Sequence, residues 1–159
     1  MSAPARAASV PIPGPPIADG SPKLIENGSV RHDFDFLVQE RATTGDAGAL
    51  LYRVKTNRAG RDQEDRFEAL ATRAVFFNVG GVSPGPEPAS GIDTVLFTGV
   101  GRWNGAGGYT FEARATDAGE PGRGHDRFAI TIRDATGQIV ASVDDVLDIG
   151  NVDSLRIAR

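Results

Sequence analysis

The segment that decides the fold is "YTFEARATDAGEPGRGHDRFAITIRD", Tyr109–Asp134. Before its Gly- and Pro-rich middle, apolar side chains such as Phe111 and Ala113 alternate with polar ones. The same alternation returns after the middle, at Phe128 and Ile130. A period of two residues is typical of a strand that has one face on a core and the other in water. The segment therefore predicts two antiparallel strands joined by a bend.

The bend is rich in acidic residues, and several interpretations are open for them. Asp117 and Asp126 stand at matching points on its two sides, so they would repel unless backbone N–H groups, an arginine or a cation balanced them. Calcium takes six to eight oxygen ligands, and the candidate metal ligands are Asp117, Glu120 and Asp126. In the alternative interpretation these acids only form turns, because Asp side chains hydrogen-bond the nearby backbone. Three glycines of the bend are expected to adopt positive φ: Gly119, Gly122 and Gly124.

Period-two alternation runs through most of the chain and predicts about eight strands. Residues 65–79 have a composition that also suits a helix, but their β-branched and aromatic end favours a strand. With turn clusters between the strands, the pattern predicts an all-β fold, an antiparallel β-sandwich or flattened barrel, over residues 23–159. Eight apolar side chains are expected in the core: Phe34, Phe36, Phe67, Phe97, Phe111, Phe128, Ile130 and Ile132.

Residues 1–22 are predicted to form an extended, flexible, Pro-rich arm. Prolines fix φ and remove backbone donors, which is typical of polyproline-like or irregular segments. An open sheet edge is a template for another chain, so the arm is a candidate for self-association with the edge of a neighbouring subunit. Pro11 and Pro13 would restrict that pairing to one side of the arm.

Composition excludes several classes of function. A chain of 159 residues is long enough for one domain with a substantial core. It has no cysteine, so disulfides, thiol nucleophiles and thiolate metal sites are excluded. The net charge of −4 and the absence of a basic cluster argue against nucleic acid as a partner. No apolar stretch is long enough to span a membrane, and the first residues lack the apolar core of an intact secretory signal.

The chain shows no residue pattern typical of an enzyme, and a noncatalytic role is predicted. Its two histidines, His32 and His125, are far apart in sequence, although each precedes an aspartate. There is no Gly-x-Ser-x-Gly elbow and no His-Glu-x-x-His zinc motif. Trp103 and Tyr109 are candidate ligand-binding residues, since two aromatic rings can form a platform for a sugar ring. The alternative is that Trp103 packs at the edge of the core.

Residues 96–157 resemble a β-rich accessory domain found in many bacterial secreted and cell-surface proteins. The shared pattern combines Gly-x-Gly, an Asn-Gly turn, Gly-Tyr-x-Phe, Asp-x-Gly-x-Pro-Gly-x-Gly-x-Asp-x-Phe and a closing Gly-Asn. The matching positions are Gly99, Gly101, Asn104, Gly105, Gly108, Tyr109, Phe111, Asp117, Gly119, Pro121, Gly122, Gly124, Asp126, Phe128, Gly150 and Asn151. The chain departs from the pattern by an insertion, "VSPGPEPASGI", and by a longer final strand, "NVDSLRI".

The resemblance implies export to the cell surface or the extracellular space. It also implies a noncatalytic structural, assembly or adhesion role, and no catalytic activity comes with it. The alternative function is a carbohydrate-binding module that uses Trp103 and Tyr109. No cofactor is expected apart from the calcium considered for the acidic bend.

Overall fold

The structure, a computed structural model, describes residues 17–26, 28–41, 46–77, 93–119 and 122–155. In these residues the fold is all-β, as predicted, without a helix. Correspondingly, they include no helix long and apolar enough to cross a membrane. The ten strands are β1 (Ile17–Gly20), β2 (Lys23–Glu26), β3 (Val30–Gln39), β4 (Ala47–Arg58), β5 (Arg61–Phe76), β6 (Asp93–Trp103), β7 (Ala106–Asp117), β8 (Arg127–Arg133), β9 (Ile139–Val146) and β10 (Val152–Leu155).

The strands form one antiparallel sheet in the order β10-β1-β3-β4-β5-β6-β7-β8-β9. β2 follows β1 and pairs with the other half of β3. The sheet curls into a half-barrel. After β9 the chain returns to β2, where Lys23 and Ile149 exchange backbone hydrogen bonds of 2.8 and 3.2 Å. The curl brings apolar side chains of distant strands together on one inner face.

The predicted strands correspond to β3–β10, and the two short strands β1 and β2 were not predicted. Each of them spans four residues, too few to show alternation, and their pairing depends on distant partners. The described part of β10 is equally short, but the strand predicted there extends over residues 153–159. β1 lies within the range 1–22 that the sequence assigns to the arm, but it pairs with β3 on one side and β10 on the other. Ile17–Gly20 thus belongs to the sheet and not to the arm, and residues 1–16 of the predicted arm lie outside the described residues.

The inner face carries a core of aromatic rings. All eight predicted core residues are buried, with exposed fractions between 0 and 5%. Phe128 is at the centre, and its ring centroid lies 4.2 Å from that of Phe34, 5.4 Å from that of Phe36 and 6.5 Å from that of Phe97. Burial of side chains this large is the main stabilising contribution to a domain of this size.

Glycines of β6 make room for these rings. A Cβ atom at Gly101 would overlap the ring of Phe67 and the backbone oxygen of Glu68. Gly101 is therefore required by close packing between β5 and β6. This explains the Gly-x-Gly element of the sequence pattern without invoking a ligand.

Candidate functional site

Asp126, the acid singled out by sequence at the end of the bend, is buried inside the fold. Its side chain is fully shielded from solvent. One carboxylate oxygen accepts a hydrogen bond of 2.8 Å from the backbone N–H of Ala118, and the other accepts one of 2.8 Å from Val152. Asp126 therefore connects the two sides of the bend and holds the start of β10.

Asp117 plays the matching part on the other side of the bend. It is 5% exposed, and it accepts hydrogen bonds from the backbone N–H groups of Gly119 (2.9 Å) and Ser154 (3.0 Å). The sequence analysis gave backbone N–H groups, an arginine or a cation as possible partners of the two acids. The structure shows backbone N–H groups at both. The two carboxylates thus connect β10, which pairs with β1 alone within the described ranges, to the β7–β8 hairpin.

The calcium hypothesis for the bend has no complete ligand set in the described residues. They include no group of three or more His, Cys, Asp and Glu side chains arranged to hold a metal ion. Asp117 and Asp126 direct oxygens at backbone donors, and the third candidate ligand, Glu120, lies outside the described residues. The geometry favours the turn-forming interpretation of the two aspartates.

Two of the three glycines in the bend have the backbone conformation that the sequence predicts. Gly119 and Gly124 have φ of 97° and 77°. Gly122 does not belong to the positive-φ glycines and is needed for another reason. A Cβ atom there would overlap the side chains of Asn151 and Asp126. Only glycine lets the bend approach the buried carboxylate so closely.

Trp103 and Tyr109, the candidate sugar platform, lie on the inner side of the sheet. Both are partly buried and packed against the core. The ring of Trp103 meets Tyr52 at a centroid distance of 6.3 Å and a tilt of 36°. Between them the chain turns at Asn104 and Gly105, with φ of 49° and 84°, as the Asn-Gly pair predicts. The structure thus places the two aromatics at the edge of the core.

The two histidines occupy different environments. His125 is exposed and its Nδ1 lies 3.2 Å from the backbone oxygen of Arg123. His32 is buried between Tyr52, whose hydroxyl is 2.9 Å from Nδ1, and Glu26, whose Oε2 is 3.3 Å from Nε2. His32 alternates with Phe34 and Phe36 and so belongs to the same, core-facing side of β3. Its partners Tyr52 and Glu26 lie on other strands and could not be found from the sequence.

Because of Tyr52, the free energy of unfolding is expected to decrease at alkaline pH. Burial, followed by the negative charges of Glu26 and Asp65, raises the pKa of Tyr52 well above its usual value of about 10. Above that value the unfolded chain releases the phenol proton and the folded chain keeps it, so the folded state loses stability as pH rises. We expect the free energy of unfolding to fall by up to about 1.4 kcal/mol per pH unit above pH 10 from this group.

The control for this pH dependence is Tyr52→Phe, measured by urea unfolding at several pH values. At neutral pH the variant is expected to be less stable, by about 1–3 kcal/mol, because the buried His32 loses a hydrogen-bond partner. Above about pH 10 the gap to the original protein should narrow, since phenylalanine has no proton to lose. A gap that stays constant would show that Tyr52 does not cause the alkaline loss.

β9 forms an edge of the sheet that the sequence did not single out. Among the described residues it pairs with β8 alone. Its first residues, Ile139 and Val140, are 49% and 37% exposed, whereas most large apolar side chains of the sheet face the core. Backbone N–H and C=O groups along such an edge are available to a further strand.

A second surface feature is an open groove of about 720 Å³ on the outer face of the sheet. It crosses the strands from β10 through β1, β3 and β4 to β5. Leu37, Ala49 and Leu51 contribute apolar surface to it, and Asp19 and Asp153 lie at its β10 end. The groove depends on strands that are far apart in sequence, so the sequence alone shows no sign of it.

Comparison with known proteins adds no relative: no family model, no curated protein and no solved structure matches the chain.

Proposed function

We propose that this chain is a noncatalytic assembly or adhesion module whose free β9 edge accepts an extended segment of a neighbouring chain. The observation that carries this proposal is the edge itself. It is eight residues long and pairs with only one strand among the described residues. Exposed Ile139 and Val140 give an added strand apolar surface beside the hydrogen-bonding groups.

The positions of the chemically reactive residues support a noncatalytic role. Asp117 and Asp126 bind backbone donors, and His32 lies in the core against Tyr52. The sugar-binding alternative requires open ring faces at Trp103 and Tyr109, and the packing of both rings against the core favours assembly over it. The location at the cell surface or outside the cell, which the resemblance implies, is part of the same proposal.

The segment that we assign to the edge is the Pro-rich stretch 1–16 of a second copy. Within one copy, this stretch is followed directly by Ile17 of β1, and β1 lies near the opposite end of the strand order from β9. In an extended conformation Val10, Ile12 and Gly14 would direct their N–H groups to one side, and Pro11 and Pro13 would face the other. Such a segment can pair with an edge on one side only, so it adds one strand and does not continue the sheet.

Self-association is the expected result, measured by sedimentation velocity over a wide range of concentration. The full chain should form species larger than a monomer, and a chain lacking residues 1–16 should not. This deletion ends before Ile17 because β1 lies inside the sheet, and its loss would disturb the fold. Val140→Lys, which places a charge at the edge, should also abolish association by preventing strand addition.

The matched control is Leu70→Lys, because Leu70 is equally a large exposed apolar residue, 54% exposed, but lies on the interior strand β5. It should associate as the original chain does. A full chain that is monomeric at every concentration contradicts the proposal. Association that survives both the deletion and Val140→Lys contradicts it as well.

A further inference from the structure

The turn between β6 and β7 is fastened to β5 through Asn104. The backbone N–H of Asn104 donates to the backbone oxygen of Arg66 at 2.8 Å, and its side-chain Oδ1 accepts from the backbone N–H of Arg66 at 2.8 Å. Its Nδ2 donates to Oδ1 of Asp65 at 2.8 Å. The side chain thus extends the contact between β5 and β6 beyond the paired residues Phe67 and Trp103.

Asn104 is also chemically vulnerable, because Gly105 follows it. An asparagine side chain loses its amide when the backbone nitrogen of the next residue attacks the side-chain carbonyl carbon. Glycine hinders this attack least, since it has no side chain and its backbone takes up many conformations. Both residues of the turn are exposed to water, and a Cβ atom at Gly105 would meet no atom within 4 Å. The surroundings of the turn therefore leave room for the reaction.

The reaction needs no reagent other than water. The nitrogen of Gly105 forms a bond to Cγ of Asn104 and gives up its proton, the bond from Cγ to Nδ2 breaks, and ammonia leaves with that proton. The product of this step is a succinimide ring, which water then opens. Opening at the side-chain carbonyl leaves aspartate with the original backbone. Opening at the main-chain carbonyl leaves isoaspartate, in which the backbone runs through Cγ.

In the folded chain the contacts of Asn104 oppose the first step. Ring closure requires the side chain to turn toward the nitrogen of Gly105, which breaks its hydrogen bonds to Asp65 and Arg66. The φ values of 49° and 84° in the turn fix the backbone between the reacting atoms as well. We propose that Asn104 is a site of spontaneous deamidation, and that its contacts with Asp65 and Arg66 set the rate of the reaction.

The product does not fit the place that Asn104 occupies. An aspartate there would direct a carboxylate oxygen at Oδ1 of Asp65, where Nδ2 now donates. Two like charges at hydrogen-bonding distance repel each other, and the donor between them is lost. Isoaspartate would also lengthen the backbone of a two-residue turn whose twist matches the flanking strands. Conversion therefore releases the turn from β5 beside Trp103, which packs against the core.

The rate is tested by incubating the full chain at mildly alkaline pH and following the conversion of Asn104 by peptide mass spectrometry. Asp65→Ala removes the acceptor of Nδ2 and should speed the conversion about tenfold, as expected for the loss of a hydrogen bond to a charged group. The matched control is Asp62→Ala, an exposed carboxylate on the same strand that bonds Asn57 instead, and its rate should not change. The other Asn-Gly pair, residues 27–28, is the internal reference for general unfolding.

The effect of the product is tested with Asn104→Asp, which should have a lower melting temperature than the original chain. Adding Asp65→Asn to it should restore most of the loss, because the new amide can donate to the new carboxylate. Equal conversion rates in Asp65→Ala and Asp62→Ala, or equal acceleration at both Asn-Gly pairs, would overturn the inference. An unchanged melting temperature in Asn104→Asp, or no recovery in the double variant, would overturn it as well.

Discussion

Phe128→Ala should lower the free energy of unfolding by about 3–5 kcal/mol, which is most of the stability of an ordinary small domain. Phe128 is fully buried on the inner face of the curled sheet. Its ring packs against Phe34 and Phe36 of β3 and Phe97 of β6. Truncation removes this apolar burial and leaves a cavity that the surrounding rings cannot fill without moving. Urea unfolding monitored by circular dichroism measures the loss.

The control for this variant is Phe76→Ala. Phe76 is the same residue type on a strand of the same sheet, but it is 53% exposed. Its truncation leaves no enclosed cavity, so the stability change should be far smaller than that of Phe128→Ala. Similar losses in the two variants would mean that the aromatic cluster is not the main stabilising core.

Asp126→Ala is expected to cost about 2–5 kcal/mol, although it removes only a small polar side chain. The carboxylate accepts hydrogen bonds from Ala118 and Val152, and the site is closed to water. A buried donor that loses its acceptor costs about 1–3 kcal/mol, and two donors lose it here. Because Val152 begins β10, we also expect faster hydrogen exchange along β10 than in the rest of the sheet.

Two controls separate this structural role from a metal site. Asp126→Asn keeps one oxygen acceptor and should lose less stability than Asp126→Ala, whereas exposed Asp62→Ala should change stability little. Calcium should leave the melting temperature of the original chain unchanged, because an ion that binds only the folded state would raise it. A clear rise with calcium that disappears in Asp126→Ala would replace the structural interpretation with a metal site.

Much of the fold could be predicted because alternation is a local property. A residue such as Phe111 or Ile130 shows its side of the strand through its immediate neighbours, and the inner face is the apolar one. The Asn104–Gly105 turn is local too, since few residue pairs tolerate positive φ at both positions. Short-range chemistry was therefore enough to predict strands β3–β10, the β7–β8 hairpin and eight of the core side chains.

The candidate sites could be predicted less well, because their residues meet only through strand pairing. The acids of the bend stood out by composition, which suggested calcium. Their donors, however, include the backbone of Val152, which lies 26 residues beyond Asp126. The predicted platform of Trp103 and Tyr109 depends on which ring faces are open, and packing against the core decides that. No local signal contains either kind of information.

The sequence by itself determined that the chain is all-β, which side chains enter the core, and where the chain turns, because each follows from residues within a few positions of one another. The tertiary structure alone decided that β1 enters the sheet between β3 and β10, that β9 pairs with β8 alone among the described residues, and that Asp19 meets Asp153 beside Leu37. The place of β1 and the meeting of Asp19 with Asp153 join residues from opposite ends of the chain. Their contacts depend on how the curled sheet buries its inner face as a whole, and a pattern with a period of two residues contains no information about which strands become neighbours.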